Sequence, residues 1–159
     1  MNNFNKALNY SFLLLKYRAR STNEIVSRLK RRGYTPTVRQ KVVDYLEENN
    51  YLNDEEFARL YVNCSLEKGW GPIRIDFNLM KLGISEALCK QVLEGDFACN
   101  SRIREIIEEK LEYYKRTKPS LPEPKIWQKI VLHLGRKGFD YKVINQEIEN
   151  LGVNRFEDK

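Results

Sequence analysis

The chain has 159 residues, 42% hydrophobic and 31% charged, with a formal net charge of +6 and an isoelectric point near 9.2. This balance belongs to a folding chain and excludes a disordered one; no apolar run approaches the roughly 20 residues of a membrane span, and Phe12-Leu13-Leu14-Leu15 is too short for a signal peptide. Cys64, Cys89 and Cys99 are widely spaced and His133 is the single histidine, which excludes a zinc cluster and weakens any Ser-His or Cys-His catalysis.

A cytosolic protein without metal or cofactor is therefore expected, with the cysteines as buried thiols. Charge is uneven along the chain. Residues 1–50 hold ten Lys/Arg against four Asp/Glu, residues 51–100 five against eight, and residues 101–159 thirteen against ten. A basic first third suits a polyanion or an acidic protein surface.

Apolar residues recur at spacings of three and four, so the chain reads as helix almost throughout. Leu8, Phe12 and Leu15 mark a first helix. After the joint Lys16 to Arg20, Ser21 with Glu24 three residues later forms a capping box that opens a second helix. Ile25 and Leu29 lie on one face of it, and Gly33 ends it in the left-handed conformation a C-terminal glycine adopts. Thr35 and Pro36 start a third helix as N-cap and first residue.

The pattern then repeats. Asn53 with Glu56 opens a helix whose predicted apolar stripe is Phe57, Leu60, Tyr61 and Cys64. The joint Gly69-Trp70-Gly71-Pro72 follows. Gly-x-Gly before a helix can cradle phosphate, but here a helix precedes it and a third glycine at the required spacing is missing. It reads instead as a helix-to-helix turn, with Gly71 as N-cap and Pro72 as first helical residue. Ile103, Ile106, Ile107, Leu111 and Tyr114 mark a further helix, and the Glu-rich run Glu105 to Glu112 reads as its exposed face. A long proline-bearing joint, Lys115 to Pro124, leads to the next.

Aligning Gly33, Gly83 and Gly138 brings Ile25, Ile75 and Ile130 into one column and Leu29, Leu79 and Leu134 into another. Tyr34, Ile84 and Phe139 follow the glycines; Thr35, Ser85 and Asp140 come next as N-caps, then Val38, Leu88 and Val143. The expected fold is all-α, with three tandem three-helix repeats, residues 4–50, 53–98 and 101–153, and a polar tail at 154–159.

The same residues carry a resemblance. Arg18-x-Arg20-Ser21-x-x-Glu24 with Leu29 and Gly33-Tyr34 comes first. Tyr51-Leu52-Asn53-Asp54-Glu55-x-Phe57-Ala58-x-x-Tyr61 follows, and then Gly71-Pro72-x-Arg74-Ile75 with Leu79 and Gly83-Ile84. In that order they resemble the RecX family of recombination regulators. The family usually has Asp-Asp where this chain has Asn53-Asp54. The resemblance implies that the three repeats form a curved, extended helical array, and that the protein is non-enzymatic, binds the RecA recombinase filament on single-stranded DNA and modulates, usually inhibits, its ATPase and strand exchange. It also implies direct DNA contact in some members.

The contact candidates are Arg18, Arg20, Arg28, Lys30, Arg31, Arg32, Arg39 and Lys41, set against the reading of a solvated basic face. Arg74 is a further candidate, or else pairs with Asp54, Glu55 or Glu56. Tyr10, Tyr17, Tyr34, Tyr45, Tyr51, Tyr61 and Trp70 are candidates for base stacking; Tyr34, Tyr51 and Tyr61 fall on apolar register positions and read as core, whereas Tyr17 and Trp70 lie at joints. Two functions fit: a regulator of the RecA–DNA filament, and a helical-repeat protein that binds DNA or RNA itself. An enzyme would need a metal cluster, a nucleotide loop or more than one histidine.

Overall fold

The computed structural model describes residues 2–94 and 98–152, without the side chains of 98–101. The polar tail and the Cys99 thiol thus lie outside the described residues. Nine helices and no strand occur among the described residues: α1 (Asn3–Tyr17), α2 (Thr22–Arg31), α3 (Pro36–Glu48), α4 (Asp54–Glu67), α5 (Pro72–Lys81), α6 (Glu86–Glu94), α7 (Ala98–Thr117), α8 (Glu123–Lys137) and α9 (Tyr141–Asn150). The all-α expectation holds. The joint before α8 is shorter than expected, since α7 runs on to Thr117 and α8 starts at Glu123.

The chain divides into two compact units, residues 1–61 with 78–92, and residues 62–77 with 93–159. In unit 1, α1 and α2 pack on α3 around Ala7, Ile25, Leu29, Val42, Leu46 and Leu52. In unit 2, α7, α8 and α9 pack together around Ile103, Ile107, Ile130, Leu134, Phe139 and Ile144. The aligned columns are core: Ile25, Ile75, Ile130, Leu29, Leu79 and Leu134 are all fully buried. Each such side chain contributes about 1.5–3 kcal/mol by leaving water.

Some expected core positions are not core. Tyr51 is 53% exposed and packs edge-to-face with Phe12 at 4.9 Å between ring centroids. In α4 the buried positions are Phe57, Ala58, Val62, Ser65 and Leu66, while Leu60 and Cys64 face out. The stripe is rotated because small Ala58 and Ser65 occupy core positions that a reading of bulky residues passes over.

The glycine columns have one geometry. Gly33, Gly83 and Gly138 adopt φ of +81°, +85° and +94°. The following residue's N–H reaches back five positions, Tyr34 to the Leu29 carbonyl, Ile84 to Leu79 and Phe139 to Leu134, at 3.1–3.2 Å. The glycine N–H itself donates three positions back. This double bond closes the helix and turns the bulky residue after the glycine toward the core. Thr35, Ser85 and Asp140 then cap α3, α6 and α9, accepting from the N–H of Val38, Leu88 and Lys142.

A second element recurs in each unit, a docking of the start of one helix on the end of another. In unit 1, Ser21 at the start of α2 is fully buried. Its hydroxyl donates to the Leu82 carbonyl, just past the end of α5, at 2.6 Å and accepts from the Glu24 N–H at 3.2 Å. In unit 2, Gly71 at the start of α5 donates its own N–H to the Lys137 carbonyl at the end of α8 at 2.8 Å, and the Ile73 N–H donates to the Gly138 carbonyl at 3.0 Å. Ser21 and Gly71 occupy the same register position, four before the column isoleucine. A Cβ on Gly71 would overlap the Gly138 carbonyl, one on Gly138 would overlap Arg74, and one on Gly83 would overlap Asn23. At Gly33 a Cβ would meet nothing.

Alanine substitution should separate these positions. Gly33→Ala carries only the left-handed backbone cost, about 1–2 kcal/mol, whereas Gly83→Ala and Gly138→Ala add overpacking of about 1–3 kcal/mol more. Urea denaturation of the three variants measures this; equal losses at all three would contradict the docking geometry.

Candidate partner-binding face of unit 1

The joint between α1 and α2 is built by charge. Arg18 donates through its two terminal guanidinium nitrogens, Nη1 and Nη2, to the Glu24 carboxylate, the Nη1 bond measuring 3.1 Å, and Arg20 reaches the same carboxylate at 3.4 Å. Arg20 also donates through Nε to the Leu14 carbonyl of α1, and its side chain is 10% exposed. The Glu24 carboxylate in turn accepts from the Ser21 N–H, which completes the capping box. Beside it, the Thr22 N–H donates to Asp54 at 2.7 Å. The motif Arg-x-Arg-Ser-x-x-Glu is therefore one connected hydrogen-bonded corner, with Arg20 inside it and Arg18 half-exposed on its rim.

The ionisation of this corner follows from its geometry. Burial pushes the Glu24 carboxyl up, but Arg18 by hydrogen bond and charge, the Ser21 N–H and Arg20 together outweigh it and hold it below the usual carboxylate range. The hydrogen bond to Glu24 raises Arg18, while burial and then the charge of Arg18 lower Arg20.

The other basic candidates lie differently. Arg28, Lys30 and Arg31 are exposed on the last turns of α2 and hold no ion pair among the described residues. Lys41 is also exposed, and Arg39 is half-buried with its Nε unpartnered. Arg32 follows α2 and lays its guanidinium over the Tyr10 ring at 3.9 Å from the centroid. Here α1 and the end of α2 border an open groove of about 570 Å³, where Lys6, Tyr10, Leu13 and Tyr17 face Arg32 and Tyr34. Tyr17 is 85% exposed and Leu13 58%. Four of the sequence candidates, Arg28, Lys30, Arg31 and Arg32, are thus gathered at the end of α2, and Tyr17 stands near Arg32. Arg20 is withdrawn from the surface. The groove itself was not predicted; Lys6, Tyr10, Leu13 and Tyr17, spaced four, three and four, are the signal that marked it.

In unit 2, Trp70 is half-buried, with the Arg74 guanidinium over its ring at 4.3 Å and the Lys68 amine at 5.5 Å. Arg74 thus stacks on an indole. Of the carboxylates considered as its partners, Asp54 accepts from Thr22 and Glu55 pairs with Arg59 at 2.9 Å. Burial, and then the charges of Lys110, Lys137 and Arg136, push the His133 imidazole below its ordinary value. No group of three or more metal-ligating side chains occurs among the described residues, and no described helix is long and apolar enough to cross a membrane.

Two family models match the chain: the first three-helix domain of RecX over residues 5–46 and the second over residues 53–93. They count two three-helix domains, one fewer than the repeats expected from the glycine register; α7, α8 and α9 form a further helix triple. The chain is 33% identical over 156 residues to the regulatory protein RecX of Bacillus subtilis (strain 168), covering 98% of this chain and 57% of that protein. It is 25% identical over 149 residues to the RecX of Streptococcus agalactiae serotype V, covering 92% and 56%. It spans a little over half the length of such relatives. The crystal structure of RecX from Lactobacillus salivarius superposes with a TM-score of 0.81 over 95% of this chain and 97% of that one, at 23% identity, a likeness of fold.

Because the Glu24 carboxyl is held low, its contribution to stability is present above the ordinary carboxylate value of 4.5 and is lost as pH falls through the folded value. Glu24→Gln should cost about 1–2 kcal/mol at pH 7, discounted because Arg18 is half-exposed. The gap from the parent should close as pH drops below 4. Urea midpoints that differ equally at pH 7 and pH 3 would rule out the charged corner.

Proposed function

The chain belongs to the RecX family, and on that premise we propose that it is a non-enzymatic, cytoplasmic regulator that binds the RecA filament on single-stranded DNA and lowers its ATPase and strand-exchange activity. This reading places it in recombination and repair, including the SOS response. Membership of the family carries the proposal. The geometry agrees with it in one respect: the cations at the end of α2, Arg28, Lys30 and Arg31, are exposed and hold no ion pair among the described residues, so their field is available to an acidic or phosphate-bearing partner. The motif arginines Arg18 and Arg20 bind Glu24 at the start of α2, with Arg18 the more accessible of the two.

The proposal uses binding alone. A surface of this kind acts by occupying the filament, so its effect should saturate with filament sites and weaken with salt as counterions re-associate. It needs no nucleotide loop, and the Gly69–Gly71 joint provides none, being filled by the end of α8.

The direct test is DNA-dependent ATP hydrolysis by RecA with the protein added below stoichiometry. A fall in rate is expected. The triple reversal Arg28→Glu, Lys30→Glu, Arg31→Glu should weaken that inhibition about tenfold or more while the protein stays folded, since all three side chains are outside the core. The lost cations at the helix end lower stability by about 0.3–1 kcal/mol each, and Arg28→Gln, Lys30→Gln, Arg31→Gln should show a smaller loss of both. Full inhibition by the triple variant would return these residues to a solvated face. No effect of the parent protein, together with tight binding to bare strand, would replace the proposal by direct nucleic-acid binding.

A further inference from the structure

One side of α1 and the end of α2 carry chemistry that neither the core nor the charged corner uses. Lys6, Tyr10, Leu13 and Tyr17 share a face of α1. Tyr10 and Tyr34 pack on the core of unit 1, and the Arg32 guanidinium covers the Tyr10 ring at 3.9 Å. The groove therefore offers one open ring, Tyr17, 85% exposed, and one open aliphatic side chain, Leu13, 58% exposed. Lys6 and Arg32 supply positive charge to it, and none of its lining residues is acidic. Arg28 and Arg31, exposed on the last turns of α2, extend that field.

An occupant of this groove needs an apolar side chain for Leu13 and Tyr17 and negative charge for Lys6 and Arg32. We infer that the groove between α1 and the end of α2 receives an acidic protein segment with one aliphatic or aromatic anchor and, resting on the regulator reading above, that the RecA filament supplies that segment. The anchor lies against Leu13 and Tyr17, and its flanking carboxylates meet Lys6 and Arg32. An apolar centre with a charged rim is how protein interfaces are built, and tyrosine and arginine are the types that carry most of their energy. The charges set approach and orientation; the apolar contact holds the segment in place. A nucleic-acid strand is disfavoured, because Tyr10 is covered, Tyr34 is in the core and branched Leu13 gives a base no flat second face. A second copy of this chain is disfavoured by the repulsion of two chains of net charge +6.

The experiment places p-benzoylphenylalanine at position 17 of the intact chain and photocrosslinks it to RecA filaments assembled on oligo(dT). Adducts are expected on a RecA segment with Asp or Glu on both sides of an apolar residue. Adducts on the DNA, on a segment without acidic residues or on a second copy of this chain would each overturn the inference. Fluorescence anisotropy reads filament binding in parallel. Tyr17→Ala should weaken it about fivefold or more, as loss of an interface anchor does. Leu13→Glu, which sets a carboxylate against the incoming ones, should weaken it about tenfold or more. Tyr17→Phe should stay within about twofold of the parent, and Lys6→Glu should weaken binding and flatten its dependence on salt. Circular dichroism should show every variant folded, since Lys6, Leu13 and Tyr17 are exposed. Tyr17→Ala should leave binding to bare oligo(dT) unchanged; an equal loss there would assign the groove to the strand. A parent protein that neither binds nor inhibits the filament overturns the regulator reading and this inference with it. A parent that inhibits, with Tyr17→Ala and Leu13→Glu inhibiting equally well, overturns the groove alone.

Discussion

The docking of one helix start on another helix end is the constraint from which the rest follows. A helix start presents unpaired N–H groups and a partial positive charge, and a helix end presents unpaired carbonyls and a partial negative one. Bringing the two together satisfies groups that would be costly to bury alone. In unit 1 the start of α2 meets the end of α5 through the Ser21 hydroxyl; in unit 2 the start of α5 meets the end of α8 through the Gly71 N–H. Two chemistries solve one geometric problem. Serine reaches across with a side chain, so its backbone stands off. Glycine has no side chain, so the backbones close until N–H and carbonyl bond directly. The column glycines serve both needs: they allow the left-handed turn, and at Gly83 and Gly138 they leave room for the incoming helix.

This arrangement determines which basic residues remain for a partner. Arg18 and Arg20 cluster beside a buried serine that must be held in one rotamer, and Glu24 is the group through which they do so. The end of α2 is different. Gly33 has the same backbone as Gly83 and Gly138, yet nothing lies within 4 Å of where its Cβ would be. Among the described residues no helix start docks at this end, and Arg28, Lys30, Arg31 and Arg32 are carried on it. Cations near a helix end are favourable by about 0.3–1 kcal/mol each, which alone explains some of them. It does not explain an exposed tyrosine and leucine on the neighbouring face of α1, which helix electrostatics does not require.

Much of the fold was legible because its signals are local. Isoleucine and leucine four apart, a glycine four later and a short polar cap are all fixed by one helix and its exit, and these columns behaved as the pattern required; the column after the caps did not, since Val143 is exposed. What the sequence hid depends on distant partners. Gly71 reads as an ordinary N-cap, and only the Lys137 and Gly138 carbonyls show that its missing Cβ is required. Arg20 reads as surface charge, and only the Leu14 carbonyl and Glu24 show it turned inward. The α4 stripe was misplaced because Ala58 and Ser65, small and weakly apolar, hold the buried face there while Leu60 does not. Tyr51 follows Asn50, whose φ of +57° turns the chain after α3 and leaves the ring half out.

The third helix triple shows the same logic by departing from it. α8 begins at Glu123, three residues before Ile126, the register position that Ser21 and Gly71 occupy at the starts of α2 and α5. The Ile126 N–H is consequently bonded within its own helix, to the Pro122 carbonyl at 3.2 Å, and Pro122 and Pro124 have no N–H to donate. The position that makes the joint elsewhere is, in α8, an interior core residue. α8 therefore receives a helix start at its far end without offering an equivalent one at its own. The triple keeps the glycine column, which serves its internal packing, and loses the joint residue. A repeat that has shed one of the two constraints is free to diverge in sequence while its core, Ile130, Leu134 and Phe139, stays in register.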